Sequence, residues 1–337
     1  MLYGLNDVTI IPARTTSVEH RGDCNPTYCG YLPLFTAPMA SVINDKNWEL
    51  YKKLNIHTII PRTIGYDKRL RLCESTFVAM GLEELNEFIN EFKLNGTVYI
   101  CLDIANGHMQ KAIDLYAKAK DKFGDKIVLM AGNIANPETY LDYAEAGVDY
   151  IRVSIGQGSV CITASNSGCY VPAASLIQKC RDYRSEVIYG FKDKYKSVPK
   201  IVADGGFSNF DQIIKALALG ADYVMLGQIF AKSEESLVGD NVSRKNYIKK
   251  KVIEREHFGM STKKAQAIMG KSKEEIRTSE GIGKMVKVEY KLATWVDNFK
   301  HYLREAMSLT DFYRLEDFVG GPKIDYISPA AFYSYFK

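Results

Sequence analysis

One cysteine stands in a glycine-rich phrase, Gly156-Gln157-Gly158-Ser159-Val160-Cys161-Ile162-Thr163, directly after an apolar, β-branched run. Glycine permits the tight positive-φ turns that aim backbone N–H and C=O groups inward, so such a loop suits a phosphate, a monovalent cation, or both. Loop amides and a nearby cation favour the thiolate, which is the nucleophilic form of cysteine. A lone cysteine is commonly a small buried hydrophobe. Its place in this loop makes the nucleophile the stronger reading of Cys161. Two further apolar runs end in small residues, Ala203-Asp204-Gly205-Gly206 and Leu226-Gly227-Gln228. Backbone amides there can approach phosphate oxygens, and Asp204 can accept hydrogen bonds from ribose hydroxyls. Each end alone would be ordinary turn chemistry; three together point to a nucleotide. Leu102-Asp103-Ile104-Ala105-Asn106-Gly107 and Ala131-Gly132-Asn133 present polar groups at two more ends. They read as part of the site, with an ordinary cap of the following helix as the alternative role for Asp103 and Asn106.

For these residues to meet, the chain must gather several strand ends on one side. Short β-branched runs alternate with amphipathic, charge-decorated segments, the pattern of βα units around a parallel sheet. Eight strands are expected: Leu34-Phe35-Thr36-Ala37, His57-Thr58-Ile59-Ile60, Phe77-Val78-Ala79-Met80, Val98-Tyr99-Ile100-Cys101-Leu102, Ile127-Val128-Leu129-Met130, Tyr150-Ile151-Arg152-Val153, Lys200-Ile201-Val202-Ala203 and Tyr223-Val224-Met225-Leu226. Most are apolar throughout, as strands covered on both faces must be. Helical periodicity is clearest at 83–92, 110–123, 137–146 and 210–219. Ala146-Gly147 and Leu219-Gly220 each place a glycine where a helix ends just before a strand. Eight such units predict an α/β fold, a (β/α)₈ barrel whose C-terminal face carries the site. Strand number alone leaves an open doubly wound sheet as the alternative. Residues 236–290, Lys-rich around 246–256 and 260–277, are too long for an ordinary βα loop. They read as a flap over the barrel, with a solvated helical hairpin as the bland alternative. Residues 292–307 read as a last barrel helix, and the aromatic tail 308–337 as packed on the body of a single domain, 1–337.

Composition narrows the function. The 337 residues carry a formal net charge of +4 with scattered Lys and Arg, so a nucleic-acid partner is not expected. Seven cysteines at irregular spacing fit neither a disulfide framework nor a paired zinc site, and a reducing cytoplasmic setting is expected. No apolar run approaches the ~20 residues of a membrane span, and Pro12 and Arg14 interrupt any secretory signal.

Taken in order, Ala37-Pro38-Met39, the 102–107 and 130–133 phrases, the cysteine loop, Ala203-Asp204-Gly205-Gly206 and Val224-Met225-Leu226-Gly227 resemble the IMP dehydrogenase/GMP reductase family. The likeness spans nearly the whole chain and is most specific at the cysteine loop. Within the family, Asp103-Ile104-Ala105-Asn106-Gly107, Phe258-Gly259-Met260-Ser261 and Arg277-Thr278-Ser279-Glu280-Gly281 look like the reductase version. Dehydrogenases usually insert a regulatory domain pair after strand two. Here only Arg62 to Phe77 intervenes, too little for one ~50-residue domain. The flap also lacks the Arg-Tyr pair whose arginine activates the hydrolytic water in dehydrogenases.

The resemblance implies NADPH-dependent reductive deamination of GMP, or a related purine nucleotide monophosphate, to IMP and ammonia. Cys161 would attack purine C2 and form a thioimidate, with Thr163 and Glu280 on the positions that handle the proton of the departing ammonia. Ser159, Asp204, Gly205, Gly206, Gly227, Gln228, Gly259, Met260, Ser261 and Arg277 fall on substrate positions. Arg62, Asp103, Ala105 and Asn106 fall on the nicotinamide side. The backbone carbonyls of Gly156, Gly158 and Cys161 correspond to a potassium site, and a homotetramer is implied. Three departures stand out. Ala164 to Pro172 replaces the family's basic and Thr-Gly-Val-Gly-Tyr-Pro phrase, Arg62 replaces a lysine, and Gln228 replaces a small residue beside the phosphate. The alternatives are an IMP dehydrogenase without regulatory domains and a silent nucleotide-binding barrel.

Overall fold

The computed structural model describes residues 1–190, 194–237, 246–247, 250–251 and 253–335. Its centre is one parallel sheet of eight strands, here β1 Leu34–Thr36, β2 Ile59–Ile60, β3 Phe77–Met80, β4 Val98–Leu102, β5 Ile127–Ile134, β6 Tyr150–Val153, β7 Lys200–Asp204 and β8 Tyr223–Leu226. Each of β2 through β7 pairs with the next in the chain, and β8 pairs with β1, Leu34 opposite Val224. The ring closes between β1 and β2 by a bridge from Phe35 to His57. Thr36 N–H donates to His57 O at 2.9 Å, and His57 N–H to Leu34 O at 3.0 Å. It is the expected (β/α)₈ barrel, closed rather than open.

Alternation along the strands makes two cores. On β6, Ile151 and Val153 pack outward against the helices, while Tyr150 lies against the inner cluster with Phe35, Phe77, Met130 and Tyr223. The inner aromatic rings meet edge to face, Phe35 to Phe77 at 5.7 Å and Phe35 to Tyr223 at 5.1 Å. They plug the barrel, so a ligand can enter only at the strand ends. Two strands outrun their expected ends, β5 through Asn133 to Ile134 and β7 to Asp204. Both added polar residues join hydrogen bonds at the barrel's mouth, which offsets their burial.

The periodic segments form helices at Leu82–Glu91, Gln110–Phe123, Thr139–Glu145 and Phe210–Leu219. Gly147 (φ +82°) and Gly220 (φ +116°) take the left-handed conformation at two of their ends. A 17-residue helix at Ala173–Tyr189 escaped the sequence reading, because its polar residues are spread around much of its circumference.

After β8 the insertion is a β-hairpin rather than a helical pair: β9 Glu254–Phe258 runs antiparallel to β10 Gly283–Lys287. Of the Lys-rich 246–256 stretch, residues 248, 249 and 252 lie outside the described residues. Residues 259–282 carry one short helix, Lys263–Ile268, whose Thr262 Oγ1 accepts from Ala265 N–H at 3.2 Å. The last barrel helix, Leu292–Leu309, buries Trp295, Phe299 and Leu303. In the tail, Ile324–Tyr326 pairs with Val8–Ile10. Among the described residues, no helix is long and apolar enough to cross a membrane.

Candidate active site

The cysteine loop leaves β6 through Gly156, whose φ of +79° needs glycine. A Cβ there would stand 2.5 Å from Ala164 Cβ, so the small residue after Thr163 is what lets the loop fold back on itself. Cys161 N–H donates to Gly158 O at 2.9 Å, closing the turn, and Thr163 opens the short helix Thr163–Ser167. The Cys161 thiol then lies 3.3 Å from Thr163 Oγ1. Cys73, Cys101 and Cys180 are buried, and burial pushes their thiols up to about 11, 12 and 12. Cys161 is half-exposed at the cleft instead.

The flap completes this loop. Ile162 N–H donates to Glu280 O at 3.1 Å and Ile282 N–H to Val160 O at 2.9 Å, with Gly281 facing Cys161 across an antiparallel bridge. Glycine at 281 keeps this approach close, since a Cβ would come to 3.0 Å from Val160 O and push the two segments apart by a few tenths of an ångström. Gln266, buried in the flap, ties its two limbs together: its Nε2 donates to Ser261 O and Arg277 O, both at 3.1 Å, and its Oε1 accepts from Arg277 N–H at 2.9 Å.

Below the cysteine, the floor is a charged network. Arg152 Nη1 donates to Asp103 Oδ1 at 2.9 Å, and its Nη2 and Nε donate to Asp204 Oδ2 at 2.8 and 3.0 Å. Asn133 Nδ2 donates to the same Asp204 oxygen at 2.6 Å. Burial opposes the charge on Arg152, yet Asp204, Cys101 and Asp103 hold its pKa above the ordinary arginine value. Asp204 thus has one oxygen committed to the protein and the other left for a ligand. Sequence reasoning missed Arg152. Its one signal was a lone charge inside the apolar run of β6.

Above this floor opens a cleft of about 510 Å³. Its walls bring together Arg62, Asp103, Ala105, Gly156, Gly158, Cys161, Asp204, Gly205, Gly259, Met260, Ser261, Arg277 and Glu280. A narrower recess of about 70 Å³ joins it and gathers Ser159, Gly206, Gly227 and Gln228 with Gly158 and Gly205. Gly205 (φ +90°) and Gly206 (φ +84°) both take conformations that glycine alone adopts freely. Two expected residues lie off these walls. Thr163 stays within reach of the thiol. Asn106 is exposed, and its Oδ1 accepts from His108 N–H at 3.1 Å. His108 Nε2 accepts from Ala135 and Asn136 N–H at 3.0 and 3.1 Å, so its proton sits on Nδ1 and points at Asn106 Oδ1. Neither Asp103 nor Asn106 caps the following helix, which begins after Met109.

Arg62 reaches the cleft through space that Gly81 leaves open, since a Cβ there would meet its guanidinium at 2.7 Å. Its Nη1 lies 3.4 Å from Asp103 O and its Nε 3.6 Å from Glu84. The latter is an ion-pair distance beyond hydrogen-bond reach, and Arg62 Nε is buried without a hydrogen-bond partner. At the recess, His257 is buried with Nδ1 2.8 Å from Ser41 Oγ. Burial first, then the charges of Lys284 and Arg255, push its pKa down to about 3, so the ring is neutral.

A half-exposed thiol, a hydroxyl beside it, a glycine cradle and two fixed carboxylates suit covalent chemistry on a phosphorylated, hydroxylated ligand. Comparison with known proteins places the chain in a family. The family model described as IMP dehydrogenase / GMP reductase domain matches residues 62–333. Over 309 residues the chain is 30% identical to the GMP reductase of Buchnera aphidicola subsp. Schizaphis graminum, covering 86% of this chain and 83% of that protein. The GMP reductase of Mesoplasma florum is 27% identical over 342 residues, 96% of this chain and 97% of that one. The inosine-5'-monophosphate dehydrogenase of Chlorobaculum parvum is 38% identical over 141 residues, but these are only 26% of that protein and 42% of this one. With the family model spanning the cleft, the cysteine loop and the flap, and a reductase aligned along most of both chains, this chain belongs to the IMP dehydrogenase / GMP reductase family.

Proposed function

We propose that this protein is a GMP reductase-like enzyme that removes the 2-amino group of GMP, or of a related purine nucleotide, with NADPH as reductant. The observation that carries the reading is the antiparallel clasp between the Cys161 loop and flap residues 280–282, which sets a half-exposed thiol beside Thr163 in a nucleotide-sized cleft. The Cys161 sulfur bonds to purine C2, the C2–N bond breaks, and ammonia leaves with a proton, giving a thioimidate. Thr163, 3.3 Å from the thiol, and Glu280, on the cleft wall, are the groups that move that proton. NADPH, when bound, supplies the hydride that reduces C2. The C–S bond then breaks, IMP leaves and Cys161 is restored as thiolate.

Asp204 holds the ribose through its uncommitted oxygen, and the amides of Gly205, Gly206 and Gly227 receive the phosphate, with Ser159 beside them. Gly259, Met260, Ser261 and Arg277 cover the base from the flap side, where Gln266 fixes their backbone. The Arg62 guanidinium, whose Nη1 lies beside Asp103 O, and the turn at 103–105 fit a polar carboxamide, so Arg62, Asp103 and Ala105 are assigned to the nicotinamide, with Asn106 holding their loop through His108. Among the described residues the Gly156 and Cys161 carbonyls accept no hydrogen bond. With Gly158 they form an all-oxygen donor set that fits potassium, which when bound would fix the loop.

The test compares NADPH-dependent loss of GMP with NAD-dependent oxidation of IMP by the purified protein. GMP consumption with ammonia release is the expected result; rapid oxidation of IMP with inert GMP would overturn it.

A further inference from the structure

Among the described residues, the recess that is to take the substrate phosphate carries no cation on its walls. Among the described residues its charged wall residue is Asp204, and its histidine, His257, is neutral. Backbone amides at Gly205, Gly206 and Gly227 offer dipoles but no net charge. A positive charge close by strengthens the hold of such amides on a phosphate dianion and offsets the nearby carboxylate.

The flap hairpin holds one. In the register of β9 and β10, His257 stands directly opposite Lys284, so the two side chains share a face of the hairpin. His257 lines the recess, which sets Lys284 on the recess side. There its Nζ donates to Gln228 Oε1 at 2.7 Å, and Gln228 is itself a wall of the recess. Among the described residues no carboxylate lies within ion-pair distance of Lys284. Burial and the charge of Lys232 lower its pKa. An ammonium that is partly desolvated and not neutralised is poised for an anion.

We propose that Lys284, oriented by Gln228, is the charge contact for the 5′-phosphate and makes the site select a nucleotide over its nucleoside. This rests on the functional reading above. The Gln228 side chain reaches from the cradle to the flap, aims the ammonium, and couples phosphate binding to seating of the hairpin.

The experiment titrates GMP and guanosine calorimetrically into the wild type, Lys284→Met and Lys284→Arg, with thermal melts to confirm folding. Loss of one charge-assisted hydrogen bond weakens GMP about ten- to a hundred-fold in Lys284→Met and leaves guanosine within about two-fold, while Lys284→Arg retains GMP binding. Equal losses for GMP and guanosine, or unchanged GMP affinity in Lys284→Met, overturn the assignment. Wild-type protein that turns over no purine nucleotide refutes the functional reading instead. In that event inorganic phosphate is the probe, and its affinity must fall in Lys284→Met or the charge contact is refuted as well.

Discussion

Cys161 and Gly281 face each other across an antiparallel bridge 120 positions apart in sequence, so the Cys161 loop and the flap are joined by backbone pairing. Under the proposed mechanism the reactive geometry depends on the flap being seated and is linked to it through backbone hydrogen bonds rather than side chains.

Cys161→Ala removes the proposed nucleophile and little else, since the backbone bonds at 158–162 remain. Turnover is expected to vanish while GMP affinity stays within a few-fold. Mass spectrometry should show a nucleotide adduct on the wild type and none on the variant. Turnover surviving in Cys161→Ala would remove the covalent route.

Arg152 neutralises two carboxylates in a place with little water, its side chain only 7% exposed against 15% for Asp103 and 13% for Asp204. Arg152→Met strands both, and breaking a buried ion pair in this way costs about 3–5 kcal/mol. The denaturant midpoint should fall accordingly. A drop of under about 1 kcal/mol would mean that the carboxylates find water or protons without cost.

Gln266→Ala deletes three hydrogen bonds that join Ser261 to Arg277. Because the flap is remote from the barrel core, the expected loss is local. Amide exchange across residues 259–282 should quicken, and KM for GMP should rise about ten-fold or more while the global melting midpoint moves little. A lower midpoint with unchanged KM would show that Gln266 serves the barrel instead.

Two histidines set an acid limit on stability. Burial pushes His57 down to about 4, and burial with neighbouring cations pushes His257 down to about 3, against 6.5 for the unfolded chain. Below pH 6.5 the unfolded state binds more protons than the folded one, so stability falls as pH falls. The contribution is whole above pH 6.5 and is lost progressively toward pH 4 and 3, at up to about 1.4 kcal/mol per pH unit for each ring. Unfolding free energies measured from pH 7 to 4.5 should show this slope. His257→Gln, which can keep the bond to Ser41, should flatten it; an unaltered slope would exclude His257 as its source.

Much of this was legible in one dimension. The eight strands announced themselves as apolar β-branched runs, because a strand covered on both faces has no polar side to show, and glycines marked the ends where the backbone must turn with positive φ. Cys161, Asp204, Gly205, Gly206 and the flap phrases were visible because each sits in a short contiguous motif. What required the tertiary structure was every partnership between distant segments. Arg152 reads as one charge in a strand until the barrel sets Asp103 and Asp204 on either side of it. Gln266 and Lys284 read as ordinary polar residues of a Lys-rich insertion until the hairpin register puts one across the two flap limbs and the other against Gln228. Local pattern records what one segment must bury. Only the folded chain decides which charges and hydrogen-bonding groups meet once that burial is done.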